Sequence, residues 1–354
     1  MVDRSAATLL LCGYYGEKNL GDDALLTVLL EDLQAGCRLL ITASDGNVLH
    51  QLCPSARRVN RRWLPAVVAA VGTVDAVVLG GGSLLQDSTS FRSLIYYLVL
   101  IATARLRRRP VLLWGQGLGP LHRPISRWLV RMMLPLCSSA SWRDQTSFSV
   151  AKRWAPNLTM DVAPDPVWQL PQREWAGGGS IVLSWRPTPL LDSQGWRCLL
   201  EALAAVADRL DASVCWLAFH QEQDAPLLPS LREQKLIPEN LLHRSHTVVP
   251  TELSTVFEQV RTARLVIPMR LHALVLARLA GCPIAALSYD PKVEAAADMA
   301  GIPWVPLAQL PDAGTLAAQW NETADQPPSK DGIETIRRDV SRHGQRLRQA
   351  LQLL

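Results

Sequence analysis

The run Pro268-Met269-Arg270-Leu271-His272-Ala273-Leu274 places two cationic side chains where an apolar strand stops and a helix begins. Cations are disfavoured at the positive end of a helix, so a bound anion would resolve the conflict. Arg270 suits a phosphate or carboxylate, and His272 can donate or accept a proton near neutral pH. The ordinary alternative for His272 is a core imidazole satisfied by a neighbouring carbonyl.

Other strand ends repeat this chemistry, and the carboxyl ends of parallel strands are where open α/β sheets bind ligands. In Phe219-His220-Gln221-Glu222-Gln223-Asp224, His220 and Asp224 can orient an acceptor hydroxyl, or form a polar loop with an Asp helix cap. In Ser288-Tyr289-Asp290-Pro291-Lys292, Lys292 can neutralise charge on a leaving phosphate, or be a solvated cation. Arg143 and Arg186 each end an apolar strand, and a guanidinium fork can clamp a doubly anionic ligand. The plain alternative is a salt bridge to a nearby Asp.

Two glycine-rich stretches accompany them. GYYGEKNLGDDALL, residues 13–26, leaves the amides of Gly16 and Gly21 accessible, with Asn19 and Asp22 able to hydrogen-bond a polyol. A tight turn with an Asp cap is the competing reading. Gly80-Gly81-Gly82 follows a Val-Val-Leu run and would let a ligand approach the backbone closely. Neither stretch is a GxGxxG fingerprint, and the lookalike from Gly115 runs into Pro120, which discounts a nicotinamide or flavin cofactor. Without an HExxH, a DxD pair, clustered Cys and His, or a GxSxG elbow, there is no positive case for a metal or a serine nucleophile.

The elements that position these residues alternate strand-length apolar runs with helical periods from Thr8 to about Leu307, the pattern of an α/β protein with parallel sheets. Strands are expected near Thr8–Cys12, Leu39–Thr42, Ala76–Leu79, Val111–Trp114 and Ser139–Trp142. A second set is expected near Ile181–Trp185, Val214–Phe219, Leu265–Pro268 and Ile284–Ser288. Val167–Gly179 punctuates the pattern with prolines and three glycines, as a linker would. The 354 residues therefore divide into Rossmann-like lobes at 1–170 and 178–326, with a C-terminal amphipathic helix in 327–354 packing back on the first lobe. Two such lobes facing a cleft, with a crossing helix at the end, resemble the glycosyltransferase B architecture.

Composition narrows the setting. Only 19% of residues are charged and the net charge is +4, which argues against disorder and gives no case for nucleic acid. Arginines cluster at 57–63, at 105–109 and along the last twenty residues. They suit peripheral contact with an anionic membrane or a diphosphate-linked substrate, unless they are simply solvated faces. Seven dispersed cysteines fit a reducing compartment, and the first residues lack a signal-peptide pattern, so a cytoplasmic location is expected. The longest apolar stretch, Leu94–Ala104, falls short of the roughly 20 residues a membrane span needs.

Taken in order, these segments resemble the polysaccharide pyruvyl transferase family, in particular its cell-surface polysaccharide CsaB type. The carriers are Gly13–Gly16 with Asn19, Gly21 and Asp22, the Gly80 triplet, Gly115–Pro120, Arg143-Asp144, Ser184–Arg186, His220 with Asp224, Arg270–Ala273 and Ser288–Lys292. The resemblance implies phosphoenolpyruvate as donor and co-substrate, with no further cofactor. It implies as acceptor a sugar of a cell-envelope polysaccharide or a lipid-linked oligosaccharide, modified as a cyclic pyruvate ketal at the inner face of the cell membrane. Arg270, Leu271 and His272 would lie at the donor in the second lobe, with Arg270 and Arg186 holding its anionic groups. His272 or a nearby acid would protonate the donor, Lys292 would assist phosphate departure and His220 could act as base. Asn19, Asp22 and the Gly80 stretch would hold the acceptor in the first lobe. A nucleotide-sugar glycosyltransferase and a non-catalytic polysaccharide-binding protein are the alternatives.

Overall fold

The computed structural model describes residues 7–33, 36–326 and 332–353. The chain divides into two compact units, residues 1–169 with 337–354, and residues 170–336. The first residues of the expected C-terminal segment, 327–331, lie outside the described residues.

Unit 1 is built on seven parallel strands: β1 (Thr8–Tyr15), β2 (Arg38–Ala43), β3 (Arg57–Asn60), β4 (Ala76–Leu85), β5 (Val111–Leu118), β6 (Ser139–Trp142) and β7 (Thr159–Val162). Between them run α1 (Leu20–Asp32), α2 (Gly46–Leu52), α3 (Leu64–Val71), α4 (Phe91–Leu106), α5 (Pro124–Met133) and α6 (Gln145–Trp154). Strand order is β3-β2-β1-β4-β5-β6-β7, so the order reverses between β1 and β4. Leu9, Leu10 and Leu11 pair with Ala76, Val77 and Val78 in the middle of the sheet, all fully buried. Helices on both faces explain why these strands are unbroken apolar runs and do not alternate.

The Gly80 triplet corrects the sequence reading, because it lies inside β4 and is not a loop after it. A Cβ on Gly80 would collide with the Tyr15 hydroxyl and Leu29, and one on Gly81 would sit 2.8 Å from Leu25 Cδ2. Gly80 and Gly81 thus let α1 press against the strand, so their missing side chains serve packing and not ligand approach.

Unit 2 has a four-stranded parallel sheet of β8 (Ser180–Ser184), β9 (Ser213–Leu217), β10 (Ser245–Val248) and β11 (Ala263–Pro268), in the order β10-β9-β8-β11. A two-stranded parallel sheet follows, β12 (Ala286–Ser288) with β13 (Trp304–Pro306), joined to β11 by a single bridge from Ile284 to Val266. Its helices are α7 (Ser193–Arg209), α8 (Gln221–Asp224), α9 (Leu227–Glu233), α10 (Glu239–Arg244), α11 (Leu253–Arg261), α12 (Leu271–Leu279), α13 (Pro291–Ala300) and α14 (Ala313–Asp325). Here the strand order reverses between β8 and β11. The core is centred on Trp185, whose ring meets Trp216 edge-on at 5.5 Å and lies 6.1 Å from Trp196.

Helix α15 (Ile333–Val340) leads to α16 (Arg342–Leu351), which packs on β5, β6, β7 and α1 of unit 1. Buried His343 holds the Pro164 carbonyl at 2.8 Å, and Arg346 pairs with Asp161 at 2.6 Å. No helix among the described residues is long and apolar enough to cross a membrane.

Candidate active site at the strand ends of unit 2

The strand order reverses between β8 and β11, and the carboxyl ends of strands at such a reversal are where these sheets bind ligands. The two ends are locked together where the Met269 amide donates to the Ser184 carbonyl at 3.0 Å. Buried Trp185 donates its indole N–H to the Ile267 carbonyl at 2.9 Å, so Arg186 leaves the core from a fixed neighbour. The half-buried Arg186 guanidinium lies 5.1 Å from the centre of the Tyr289 ring and donates to its hydroxyl at 3.3 Å. Among the described residues no carboxylate pairs with Arg186, so its charge stays available.

Arg270 is held differently. Its Nε donates to Asp224 Oδ2 at 2.8 Å, while Nη2 reaches Asp224 Oδ1 and, at 3.2 Å, Gln223 Oε1. The Asp224 side chain is 2% exposed and also accepts the His220 amide at 2.8 Å. Asp224 therefore ties the turn after β9 to the end of β11, and is not the simple helix cap its position allowed. Nη1 of Arg270 makes no hydrogen bond among the described residues and is the edge left for an anion.

Arg270 is also the N-cap residue of α12, and no side chain caps that helix. The start of α12 presents its first-turn amides and the positive end of the helix dipole at the end of β11, a ready anion site next to Arg270. The Leu271 side chain is buried, so its contribution here is its amide; His272 is half-buried in the same turn.

His220 is 6% exposed, and its Nδ1 has no hydrogen-bond partner among the described residues. Burial, reinforced by the Arg270 charge, pushes its pKa below the ordinary imidazole value. It is therefore neutral at neutral pH and able to accept a proton. Lys292 Nζ lies 3.0 Å from Asp290, whose carboxylate caps α13 by accepting the Lys292 amide. Lys292 is thus a paired cation at the neighbouring strand end, half-buried and not freely solvated.

The remaining predicted residues belong to unit 1. Arg143 is a correction: its guanidinium is buried against Asp165 at 2.8 Å and Ser83 at 2.9 Å, so its fork is spent inside the unit. Asn19, and neither Asp22 nor Asp23, caps α1, accepting the Gly21 amide at 3.2 Å and donating to Asp22. Gly16 has φ +66° and donates its amide to Asp23 at 3.1 Å. Gly82, with φ +88°, lies against the Asp22 carboxylate, the one glycine of its triplet at the edge of that loop.

Sequence reasoning passed over Arg61 as part of a charge cluster. It is nearly buried, pairs with Glu17 at 3.1 Å, donates to the Tyr97 hydroxyl and stacks 4.6 Å from the Tyr14 ring centre. The available signal was the aromatic pair in Gly13-Tyr14-Tyr15-Gly16, because a buried arginine needs rings and a carboxylate. Among the described residues no group of three or more His, Cys, Asp or Glu is placed to hold a metal ion.

A family model described as polysaccharide pyruvyl transferase matches residues 19–291. The chain belongs to the polysaccharide pyruvyl transferase family. The matched span takes in Arg186, His220, Asp224, Arg270 and His272 and ends one residue before Lys292. A comparison with curated protein sequences finds no match.

Among solved structures, the Anabaena Alr3699/HepE protein in complex with UDP-glucose is 14% identical to this pyruvyl transferase family member. It has a TM-score of 0.63 and covers 98% of this chain and 100% of its own. UDP-GlcNAc 2-epimerase from Neisseria meningitidis bound to UDP-GlcNAc is 12% identical, TM-score 0.62, covering 97% and 99%. A glycotransferase of kitacinnamycin is 12% identical, TM-score 0.57, covering 98% of both chains. At these identities the likeness establishes the fold, which is of the glycosyltransferase B type. Family and fold together make this a transferase of polysaccharide biosynthesis.

Proposed function

We propose that this chain transfers pyruvate from phosphoenolpyruvate to a sugar of a cell-envelope polysaccharide or its lipid-linked precursor, forming a cyclic ketal and releasing phosphate. The observation that carries this reading is the uncapped start of α12, flanked by Arg270 and set beside the strand end that carries uncompensated Arg186. Phosphoenolpyruvate has a carboxylate and a phosphate, and these neighbouring strand ends carry two arginines and the N-terminus of α12.

The chemistry assigns the rest. Protonation of the donor's methylene carbon makes the adjacent carbon electrophilic, and His272, in the first turn of α12, supplies that proton. A sugar hydroxyl adds to this carbon while neutral His220 takes its proton. The carbon–oxygen bond to phosphate then breaks, with Lys292 stabilising the departing charge. A second hydroxyl of the same sugar closes the ketal, and its proton leaves with phosphate. The donor's carbon–carbon π bond and its carbon–oxygen bond to phosphate are lost, one carbon–hydrogen and two carbon–oxygen bonds form, and no redox partner or further cofactor is required. Asn19 and Asp22 in unit 1 are assigned to the acceptor, and the site works on the cytoplasmic face of the membrane.

Incubation with phosphoenolpyruvate and a panel of synthetic and lipid-linked glycans tests the reading. Phosphate release that depends on both substrates supports it. The structural neighbours described with UDP-sugars motivate a parallel arm with nucleotide sugars. Consumption of a nucleotide sugar with no phosphate from phosphoenolpyruvate would replace this reading with glycosyl transfer.

A further inference from the structure

Helix α5 wears an apolar stripe on its outer side. Ile125, Trp128 and Met132 are 49%, 57% and 53% exposed, and their spacing of three and four residues aligns them on one face. Ser126 and Val130 face inward, so burying the stripe plays no part in the fold of unit 1. Large side chains exposed together in this way mark an interaction surface.

The sequence around the stripe is rich in arginine. From Ser88 to Arg143 the sequence holds nine arginines and no aspartate or glutamate. Arg127 and Arg131 lie exposed alongside the stripe. The end of α4 adds exposed Arg105, Arg107 and Arg108 around Leu106, which is 84% exposed. Arg105 and Arg108 share one surface hollow with Pro135 and Leu136, just beyond the end of α5, so the two patches adjoin. Among the described residues, Arg105, Arg107, Arg108, Arg127 and Arg131 form no ion pair, whereas Arg109 pairs with Asp75 and Arg143 with Asp165.

We infer that this face docks on an anionic lipid bilayer, with the Ile125, Trp128 and Met132 side chains inserted among the acyl chains and the arginines at the headgroups. Apolar residues beside cations on one helix face are the chemistry of interfacial helices. The placement has a purpose. Asp87, just after β4, accepts the His122 and Arg123 amides at 2.7 and 2.9 Å and fixes the start of α5 at the carboxyl edge of the unit 1 sheet. The Asn19 loop stands at that same edge, where a membrane-anchored sugar would arrive. The inference rests on the proposed function only in supplying a lipid-linked acceptor.

The test is sedimentation of the full chain with phosphatidylglycerol–phosphatidylcholine vesicles and with phosphatidylcholine vesicles alone. Wild type should sediment with the anionic vesicles only, and less so in high salt. I125S/W128S/M132S and R107Q/R108Q/R131Q should each bind at least about tenfold more weakly, since one arginine near such a surface is worth about fivefold. Both variants alter exposed side chains and should keep the wild-type unfolding midpoint and wild-type turnover on a water-soluble glycan. Absent vesicle binding, or equal binding by the variants, overturns the inference. So does a wild-type dimer that I125S/W128S/M132S converts to monomer, because the stripe would then cover a second copy. Vesicle binding by a protein without phosphoenolpyruvate turnover would sink the proposed function and leave this inference standing.

Discussion

Arg270 and Asp224, 46 residues apart in sequence, form a two-pronged ion pair that ties the end of β11 to the turn after β9, reaching past the end of β8. The pair converts an arginine that the sequence presents as a free anion grip into one that both organises these strand ends and offers only its remaining edge. It also sets the His220 backbone, because the same carboxylate accepts the His220 amide.

Arg270→Ala should therefore do two things at once. Weaker phosphoenolpyruvate binding should raise KM, and the stranded Asp224 carboxylate should cost about 3–5 kcal/mol of stability. Urea unfolding measures the second effect. The double variant Arg270→Ala with Asp224→Ala should recover part of the stability while KM stays high. An unchanged unfolding midpoint in Arg270→Ala would show that the pair is not formed.

The depressed pKa of His220 has a definite sign. Its neutral form persists to lower pH than a free imidazole, which titrates near ~6.5. If His220 is the base, kcat/KM should stay level across neutral pH and fall only as pH drops through that lowered value. His220→Gln should reduce the rate and abolish this acid limb. An acid limb unchanged in His220→Gln assigns the base elsewhere.

His272 and Arg186 should separate kinetically. His272→Asn should lower kcat by about 10²–10⁴-fold with little change in KM for phosphoenolpyruvate. Arg186→Leu should mainly raise that KM, and Tyr289→Phe should do so more mildly, by removing a hydroxyl that receives the guanidinium. Near-normal turnover in His272→Asn removes it from the chemistry.

Asp23 gives a pH test of unit 1 that needs no substrate. Burial raises its carboxyl from 3.8 to about 6, against the hydrogen bond from Gly16. The protonated form is favoured by folding, so this contribution is fully present below pH 3.8 and is lost as pH rises through about 6. Asp23→Asn keeps an acceptor for the Gly16 amide and removes the buried charge. It should gain about 1–3 kcal/mol over wild type at pH 7 and almost nothing at pH 4. A gain that does not vary with pH would refute the assignment.

The central strands were legible because both faces are buried, leaving apolar runs such as Leu9–Leu11 and Ile181–Leu183. The strands that sequence reasoning missed are Arg57–Asn60, Thr159–Val162, Ser245–Val248 and Trp304–Pro306. The first three lie at sheet edges and the last pairs with β12 alone. Short, polar strands there blunt edge pairing and so carry no hydrophobic signal.

Glycines misled in the opposite sense. Gly80 and Gly81 read as punctuation because their role, close contact with Leu25 and Leu29 of α1, is set by residues more than fifty positions away. At the site, residue types and strand-end positions drew attention to His220, Asp224 and Arg270, but not to the pairing that spends most of the arginine's fork. The buried partners of Arg143 and Arg61 were equally hidden, since Asp165 and Glu17 carry no local mark of their destinations.

The most direct test of the account is the mass of the glycan product after incubation with phosphoenolpyruvate. The account predicts a gain of one pyruvic acid less one water, one phosphate released per product, and loss of both in His272→Asn. A product heavier by a sugar residue, made from a nucleotide sugar with phosphoenolpyruvate untouched, would contradict it.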